Sequence, residues 1–509
     1  MTTAAVIILI TIICYLAMMI FIGFRFSKTN NTVDDFYLGG RKLGPFVTAM
    51  SAEASDMSSY LLMGLPGLAY ISGVCDVTWT AIGLAVGTWV NWLIVSRRIR
   101  RYSHRLEAIT IPDFFSKRYH DRHNILTAIA AVVIIVFFIP YTASGFAACG
   151  KLFRSLFGAD YMTAMIICAV IIVLYTTLGG FLAASTTDLI QSIIMTIALV
   201  IVVFFGVYQA GGIEAVLANA KELPGYFSMN NTYDAVSGSS NHYGIISIVS
   251  TLAWGLGYFG MPHILLRFMA TKDEDKLVLS RRIATIWVVL AMGVAVFIGI
   301  VGLAMSNRGV LVSLEGNDSE TIIVKIADLL SSFGAFPAIL AGIILAGILA
   351  STMSTADSQL LAASSSVSQN LLNDVFHLKV SPKMSVVIAR LTVVIISVIA
   401  VFLARDPDSS VFGIVSFAWA GFGATFGPTV LLALFWKRSN KQGAVAGMLA
   451  GGVMVFVWKY AVRPMGGALD IYELLPAFVV ALLVNVIVSL LTKAPEESIV
   501  AEFNEVQQG

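Results

Sequence analysis

The sequence predicts an all-α polytopic membrane protein with thirteen transmembrane helices. Three observations predict it. Of the 509 residues, 58% are hydrophobic and only 12% charged, whereas an ordinary soluble protein carries about 25% charge. The apolar residues gather into runs of roughly 20, the length that crosses a bilayer as a helix. The segments between runs are short, so there is no room for a large soluble domain. A water-soluble globule of this composition would expose large apolar patches and aggregate. The net charge of +2 supplies no basic stripe for nucleic acid and implies no long-range electrostatic partner. Cys14, Cys75, Cys149 and Cys168 stand singly. Without a C-x-x-C they suggest neither a zinc site nor a disulfide framework, and they read as small apolar fillers.

In chain order the spans run approximately 3–24, 46–71, 76–96, 124–149, 160–180, 184–209, 243–270, 283–305, 336–371, 384–404, 411–436, 443–462 and 473–492. The first has no basic leader and no small-residue cleavage pattern, so it reads as a retained helix. The ninth is too long for one perpendicular crossing and is expected to tilt or extend into water. The longest loop, 210–242, is polar. The tail after Lys493 is short and acidic (Glu496, Glu497, Glu502, Glu505) and is expected to be mobile. No G-x-x-x-x-G-K-[ST] occurs, so ATP is not the evident energy source. Most of the 32 Lys and Arg lie in loops after odd-numbered spans or in the tail, including Arg25, Lys28, Arg41, Lys42, Arg97, Arg98, Arg100, Arg101, Arg105, Lys437, Arg438 and Lys441. By the positive-inside rule the N-terminus is outside and the C-terminus cytoplasmic, in a multi-pass plasma (inner) membrane protein.

Three segments break the apolar pattern, and such breaks persist only beside a cavity or a protein partner. In the second span, Ser51-Ala-Glu53-Ala-Ser55-Asp56-Met-Ser58-Ser59-Tyr60 puts two carboxylates and four serines at membrane depth. Local unwinding over Ala54–Ser59 would free carbonyls as cation ligands and turn a half-helix N-terminus toward a carboxylate. The plainer reading is a polar helix face buried in a bundle. In the seventh span, Trp254-Gly-Leu-Gly-Tyr258-Phe-Gly260-Met-Pro262-His263 weakens the helix midway; an aromatic belt or packing groove is the alternative. In the ninth, Ser351, Ser354, Thr355 and Ser358 share one helical face beside Asp357. Such a stripe offers hard oxygen ligands for a small monovalent cation, or simply glues helices together.

The two interrupted spans open two groups of five helices, spans 2–6 and 7–11. Because five is odd, the second group enters the membrane from the opposite side. Matched broken helices in opposed halves mark an inverted-repeat secondary transporter. The expected organisation is an N-terminal extra helix and loop (1–45), a first five-helix repeat (46–209), an external loop (210–242), a second repeat (243–436), two C-terminal extra helices (437–492) and a cytoplasmic tail (493–509).

Asp34-Asp-Phe-Tyr-Leu-Gly-Gly-Arg41, Ser51-Ala-x-Ala-Ser-Asp-Met-Ser58, Leu62-Met-Gly-Leu-Pro-Gly67, Gly179-Gly-Phe-Leu-Ala183, Trp254-Gly-Leu-Gly-Tyr-Phe-Gly-x-Pro-His263 and Trp419-Ala-Gly-Phe-Gly423 resemble the sodium/solute symporter family. They look most like its sodium/proline branch, over about residues 20–492. The resemblance implies a leucine-transporter-type 5+5 inverted repeat. It implies sodium as the transported coupling ion, no organic cofactor, and L-proline or a similar small zwitterion as substrate. It implies sodium ligands at the carbonyls of Ala54, Met57 and Ser351 and the hydroxyls of Ser354 and Thr355, with Asp56 as the carboxylate important for sodium. Substrate contacts then fall on Ser58, Ser59, Tyr141, Trp254, Tyr258 and Pro262.

The chain departs from that branch in several places. Ser59 stands where Gly is usual, Tyr60 for Trp, Met261 for Gln, Ser351 for Ala, Glu53 for Gly and Asp357 for Ser. An added hydroxyl and a lost amide bear on substrate identity, so another small zwitterion or a carboxylate is the alternative to proline. Asp188, Asp357 and Ser358, with Ser354 and Thr355, are expected to form a second cation site for sodium or a proton. Two close carboxylates without a cation would force one to stay protonated. Among other classes, no H-E-x-x-H and no supported Ser/His/Asp grouping favours an enzyme. A nutrient sensor on a transporter scaffold would usually carry a signalling domain. The expected surroundings are membrane lipid, with no nucleic acid and no obligate protein partner.

Overall fold

The computed structural model describes residues 2–27, 32–378 and 380–508. Lys28, one of the loop charges above, lies outside the described residues. The chain is almost wholly helical. Among the described residues ten helices are long and apolar enough to cross a membrane, or eleven if a pair bent by 47° between Ile245–Gly260 and Pro262–Met269 counts as one.

In chain order the helices that matter for the site are α1 (Thr3–Phe26), α2 (Pro45–Ser59), α3 (Leu65–Ser72), α4 (Val74–Val90), α5 (Ile125–Phe157) and α6 (Tyr161–Gln209). Then come α7 (Ile245–Leu252), α8 (Pro262–Met269), α9 (Leu277–Asn307), α10 (Ala335–Ser365), α11 (Pro382–Leu403), α12 (Val411–Phe435), α13 (Lys441–Val457), α14 (Leu474–Leu491) and α15 (Glu497–Gln508). Large apolar side chains such as Phe204, Ile286, Val398 and Leu491 remain exposed on the helix surfaces. That is the arrangement hydrocarbon requires and water penalises. The most apolar stretch of α12 is 83% buried and that of α10 72%, against 22% for α1. The centre of the bundle is therefore built on α10 and α12, with α1 at its edge.

Several helices depart from the expected boundaries for local reasons. The fifth and sixth expected spans are one element, the 49-residue α6. Gly180 interrupts it with φ 64 and ψ −164, a conformation that glycine adopts without the steric cost a Cβ brings. The ninth expected span is also extended: α10 continues as a wider helical turn over Ser366–Val375. The 210–242 segment carries a helix at Ile213–Glu222 and an antiparallel hairpin pairing Asn231–Asp234 with Ser239–His242. These two short strands are the exception in an otherwise helical fold.

The acidic tail contradicts its expected mobility. It forms α15, which buries Ile499, Phe503 and Val506, spaced i, i+4 and i+7 on one face. The Arg118 guanidinium lies 5.2 Å over the Phe503 ring. Glu502 meets His120 at 3.2 Å and Glu505 meets Arg105 at 3.3 Å. Charge alone suggested a free tail; the apolar stripe within it decides otherwise.

Close helix approach around the seventh expected span depends on missing side chains. A Cβ on Gly87 would sit 2.4 Å from the Gly255 carbonyl oxygen, and one on Gly255 would sit 2.3 Å from that of Gly83. α4 and the Ala253–Gly260 turn therefore touch backbone to backbone. Arg41 clamps the loop before α2, donating to the carbonyls of Met269 (2.7 Å) and Ala108 (2.6 Å); burial pulls its pKa down to about 10.

Candidate cation and substrate site

α2 begins with Pro45 in its first turn, where the missing N–H costs nothing. It stays helical through Met57, and the backbone breaks at Ser58, with φ 48 and ψ −171. The expected unwinding over Ala54–Ser59 is thus narrowed to one residue. A non-glycine residue held at positive φ is strained and must be over-determined by its surroundings. Here Ser58 Oγ accepts from the Tyr60 N–H (3.1 Å), and a widened turn over Tyr60–Gly64 leads into α3. The matching break follows α7. Ala253–Gly260 is wound as a tighter helix and Met261 is extended (φ −75, ψ 108). Pro262 then starts α8.

The turn just before the α2 break meets the hydroxyl stripe of α10. Ser354 Oγ donates to the Ala54 carbonyl (2.8 Å) and lies 3.2 Å from the Ser351 carbonyl, to which Thr355 Oγ1 also donates at 3.2 Å. Four of the expected sodium ligands, Ala54, Ser351, Ser354 and Thr355, therefore form one buried oxygen cluster spanning two helices. The fifth, the Met57 carbonyl, receives the Tyr60 N–H. The Asp56 carboxylate also points elsewhere: its Oδ2 accepts from the Tyr258 hydroxyl at 2.5 Å. The Tyr141 hydroxyl donates to the Asp56 carbonyl at 3.4 Å.

A small cavity of about 10 Å³ lies along the next residues of α2, lined among others by Asp56, Met57, Tyr60, Tyr141, Trp254 and Trp419; that is the room one water needs. Of the expected substrate contacts, Tyr141 and Trp254 line it directly, and Tyr258 reaches it through Asp56. Ser58 and Ser59 lie at the break on its edge, and the Ser59 hydroxyl has no hydrogen-bond partner. Pro262 lies past the second break and contributes no lining atoms. Trp254 also floors a larger cleft of about 280 Å³ on the side of the 231–242 hairpin, walled by Phe412, Tyr472 and Asp76. Its indole stacks on Tyr472 (centroids 4.9 Å apart) and on Tyr60 (5.7 Å), so an aromatic lid separates the two spaces. Tyr60 and Trp419 were legible only as parts of motifs; Met292, which also lines the inner cavity, carried no signal in the sequence.

The second expected cluster is assembled with an extra member. Asp188 Oδ2 accepts from Ser51 Oγ (2.6 Å) and from Arg267 Nη2 (3.1 Å). Arg267 also donates to Ser358 Oγ (2.5 Å), and Ser358 donates to Asp357 Oδ1 (3.0 Å). Tyr175 OH lies 3.0 Å from Asp357 Oδ2. Asp188, Asp357 and Ser358 do come together, but Arg267, only 1% exposed, supplies a fixed positive charge that sequence reasoning passed over. The available signal was an ionisable residue inside an apolar segment, one helical turn after His263.

A bundle with two mid-membrane helix breaks, an oxygen cluster at one of them and a lidded cavity beside it defines a secondary transporter of the broken-helix type. The comparisons give the family. The model of the sodium:solute symporter family matches residues 36–451. The chain is 41% identical to the sodium/proline symporter of Salmonella typhimurium over 97% of its own length and 95% of that protein's. It is 40% identical to the osmoregulated proline transporter OpuE of Bacillus subtilis, over 96% of each chain. Its fold matches that of a Na+-coupled sialic acid symporter solved in a substrate-bound outward-open state, with TM-score 0.79 at 17% identity, covering 96% of this chain and 99% of that one. The chain belongs to the sodium:solute symporter family. It is a multi-pass membrane transporter, not an enzyme, with sodium as its coupling ion.

Proposed function

We propose that this protein couples inward sodium flow to uptake of L-proline by alternating access. Relatives similar over nearly the whole length are sodium/proline symporters and proline transporters, which supports the substrate. One observation carries the site: the Ser354 hydroxyl meets the Ala54 carbonyl in the turn just before the α2 break. Sodium bound among Ala54, Met57, Ser351, Ser354 and Thr355 ties the broken helix to α10. Asp56 stabilises the ion from one turn away and passes its state to Tyr258. The substrate carboxylate meets the N–H groups near Ser58 and Ser59 at the half-helix start. Trp254 and Tyr258 cover the ring, Tyr141 caps it, and Pro262 fixes the second break that holds these aromatics. At 100 mV each sodium ion supplies roughly 2.3 kcal/mol, and each 1.4 kcal/mol is about a tenfold substrate gradient.

The same reading counts thirteen spans. α6 is about 73 Å long at 1.5 Å per residue, enough for two crossings hinged at Gly180. The Pro45–Ser72 pair, too polar to score as apolar, is a further span. Spans 2–6 and 7–11 are the two inverted repeats. The first span and the last two are additions, and the loop charges put the N-terminus outside and the tail in the cytoplasm. The Asp188–Asp357–Ser358 cluster holds a cation position served by Arg267, so transport moves one ion fewer than two carboxylates alone would suggest. The unpartnered Ser59 hydroxyl favours one second reading, a small zwitterion with an extra polar group. The test is uptake into proteoliposomes under a sodium or a potassium gradient, with labelled L-proline and a panel of competitors. Proline accumulation that needs the sodium gradient supports the proposal; equal uptake in potassium overturns the coupling, and failure of proline to compete overturns the substrate.

A further inference from the structure

The cleft on the side of the 231–242 hairpin takes no part in the cycle proposed above. It holds about 280 Å³, near the lower end of small-molecule pockets, which run about 300–1,000 Å³. The inner cavity holds about 10 Å³. Trp254 lines both. Of the two spaces that meet at this indole, only the outer one has room for a small organic molecule.

The walls of the cleft carry charge of both signs. Asp76, in the first turn of α4, accepts at Oδ1 from the Tyr243 hydroxyl (2.9 Å) and from Thr251 Oγ1 (3.5 Å). Among the described residues its Oδ2 takes no hydrogen bond, and no Lys, Arg or His forms an ion pair with it. Arg463 also lines the cleft. Its Nε is held by Asp470 (2.9 Å) and its Nη1 by Glu473 (3.0 Å). Its Nη2 takes no hydrogen bond among the described residues. Asp470, the other acidic wall residue, is thus committed to Arg463, and Asp76 is the carboxylate left for an incoming cation. The stacked rings of Trp254 and Tyr472, with centroids 4.9 Å apart, and Phe412 supply aromatic surface. An ammonium group suits a carboxylate beside aromatic faces. A carboxylate suits a guanidinium already fixed in place. A small apolar body suits the rings. Together these are the complement of a small amino-acid zwitterion.

We propose that the cleft lined by Asp76, Arg463, Trp254 and Tyr472 is an outer reception site, which holds the substrate amino acid before the aromatic lid opens. Asp76 takes the ammonium and Arg463 the carboxylate. The proposal rests on the reading of the chain as a transporter of L-proline or a similar zwitterion, and on the topology that puts the hairpin outside. It has a kinetic consequence: a molecule held in the cleft stands in the way of one leaving from beneath the lid.

Release of labelled L-proline from the purified full-length protein in nanodiscs, in saturating sodium, tests this. Release is followed after dilution into buffer and after dilution into excess unlabelled L-proline. A single site releases no more slowly into excess proline than into buffer. An occupied outer cleft slows release into proline, and for the wild type the slowing is expected to be about threefold. Asp76→Asn removes the charge that meets the ammonium. Ser247→Trp fills the cleft and leaves its charges in place. Each is expected to abolish the slowing, and each serves as its own control because two releases from the same protein are compared. A monodisperse elution profile qualifies the variants, and loss of the slowing in either folded one supports the cleft. Equal release in the wild type, or slowing that persists in both variants, overturns the proposal. If labelled L-proline does not bind the wild type in sodium, the substrate reading fails and a cleft for proline falls with it; bound proline with equal release overturns the cleft alone.

Discussion

Two buried carboxylate clusters adjoin the same short helix. Ser51 of α2 turns to Asp188, where Arg267 and Ser358 complete a bonded network. Two residues on, and so about 200° around the helix at 3.6 residues per turn, Glu53 points the other way. With Asp56 it meets only Trp92 and Tyr258. The first cluster contains its own cation, covalently attached and immobile. The second contains more oxygen than hydrogen-bond donors. A resident guanidinium makes a structural joint between α2, α6, α8 and α10. The other pair of carboxylates has no basic partner among the described residues, and Asp56 lies next to the aromatics Tyr258, Tyr141 and Trp254.

The largest effect is expected from breaking the joint. Arg267→Gln leaves Asp188 buried and unpaired, and losing one partner of a buried pair costs about 3–5 kcal/mol. The measurement is thermal unfolding in detergent. Recovery of most of the loss in the Arg267→Gln/Asp188→Asn double variant would show that the pair, and not packing, carries it. If the single variant unfolds at the wild-type temperature, the contrast between the clusters fails.

On the mobile-ion side, Asp56→Ala is expected to raise the sodium concentration for half-maximal proline uptake more than about tenfold, as befits loss of a charge-assisted bond worth roughly 1.5–3 kcal/mol. The protein should still insert, as judged by its amount in membranes. Unchanged sodium dependence would show that Asp56 belongs to the structural side.

Trp254→Ala tests the lid between the two spaces. An aromatic face beside a substrate ammonium contributes about 0.5–2 kcal/mol, so apparent proline affinity is expected to fall between about two- and thirtyfold, with sodium affinity nearly unchanged. An equal fall in both would place Trp254 in the ion site.

The smallest effect is expected at the α15 surface. Glu505→Gln removes an exposed pair with Arg105, which solvent screens, and should leave unfolding temperature and uptake unaltered. Phe503→Ala, which empties the buried stripe, should release the tail to limited proteolysis. A protease-resistant tail in that variant would mean that charge, not burial, docks it.

The fold was legible wherever composition or periodicity is local. Runs of about 20 apolar residues mark the helices, and Gly-Leu-Gly with Pro262 marks the second break. The Ser351–Ser358 stripe marks α10, because helical spacing alone brings it to one face. The break at Ser58 was legible in position but too broad, since propensity cannot tell one strained residue from six. The tail was misjudged because its charges are conspicuous and its three-residue apolar stripe is not.

What the sequence by itself determined is the class: a membrane bundle with two weakened helices and oxygen-rich faces, all features of neighbouring residues. Which carboxylate owns a cation was decided by tertiary structure alone. Arg267 reaches Asp188 across 79 positions and Ser51 across 216, and Trp92 reaches Glu53 across 39. Such pairings depend on how helices cross, and the free energy of a buried charge depends on the atoms beside it rather than on its neighbours along the chain.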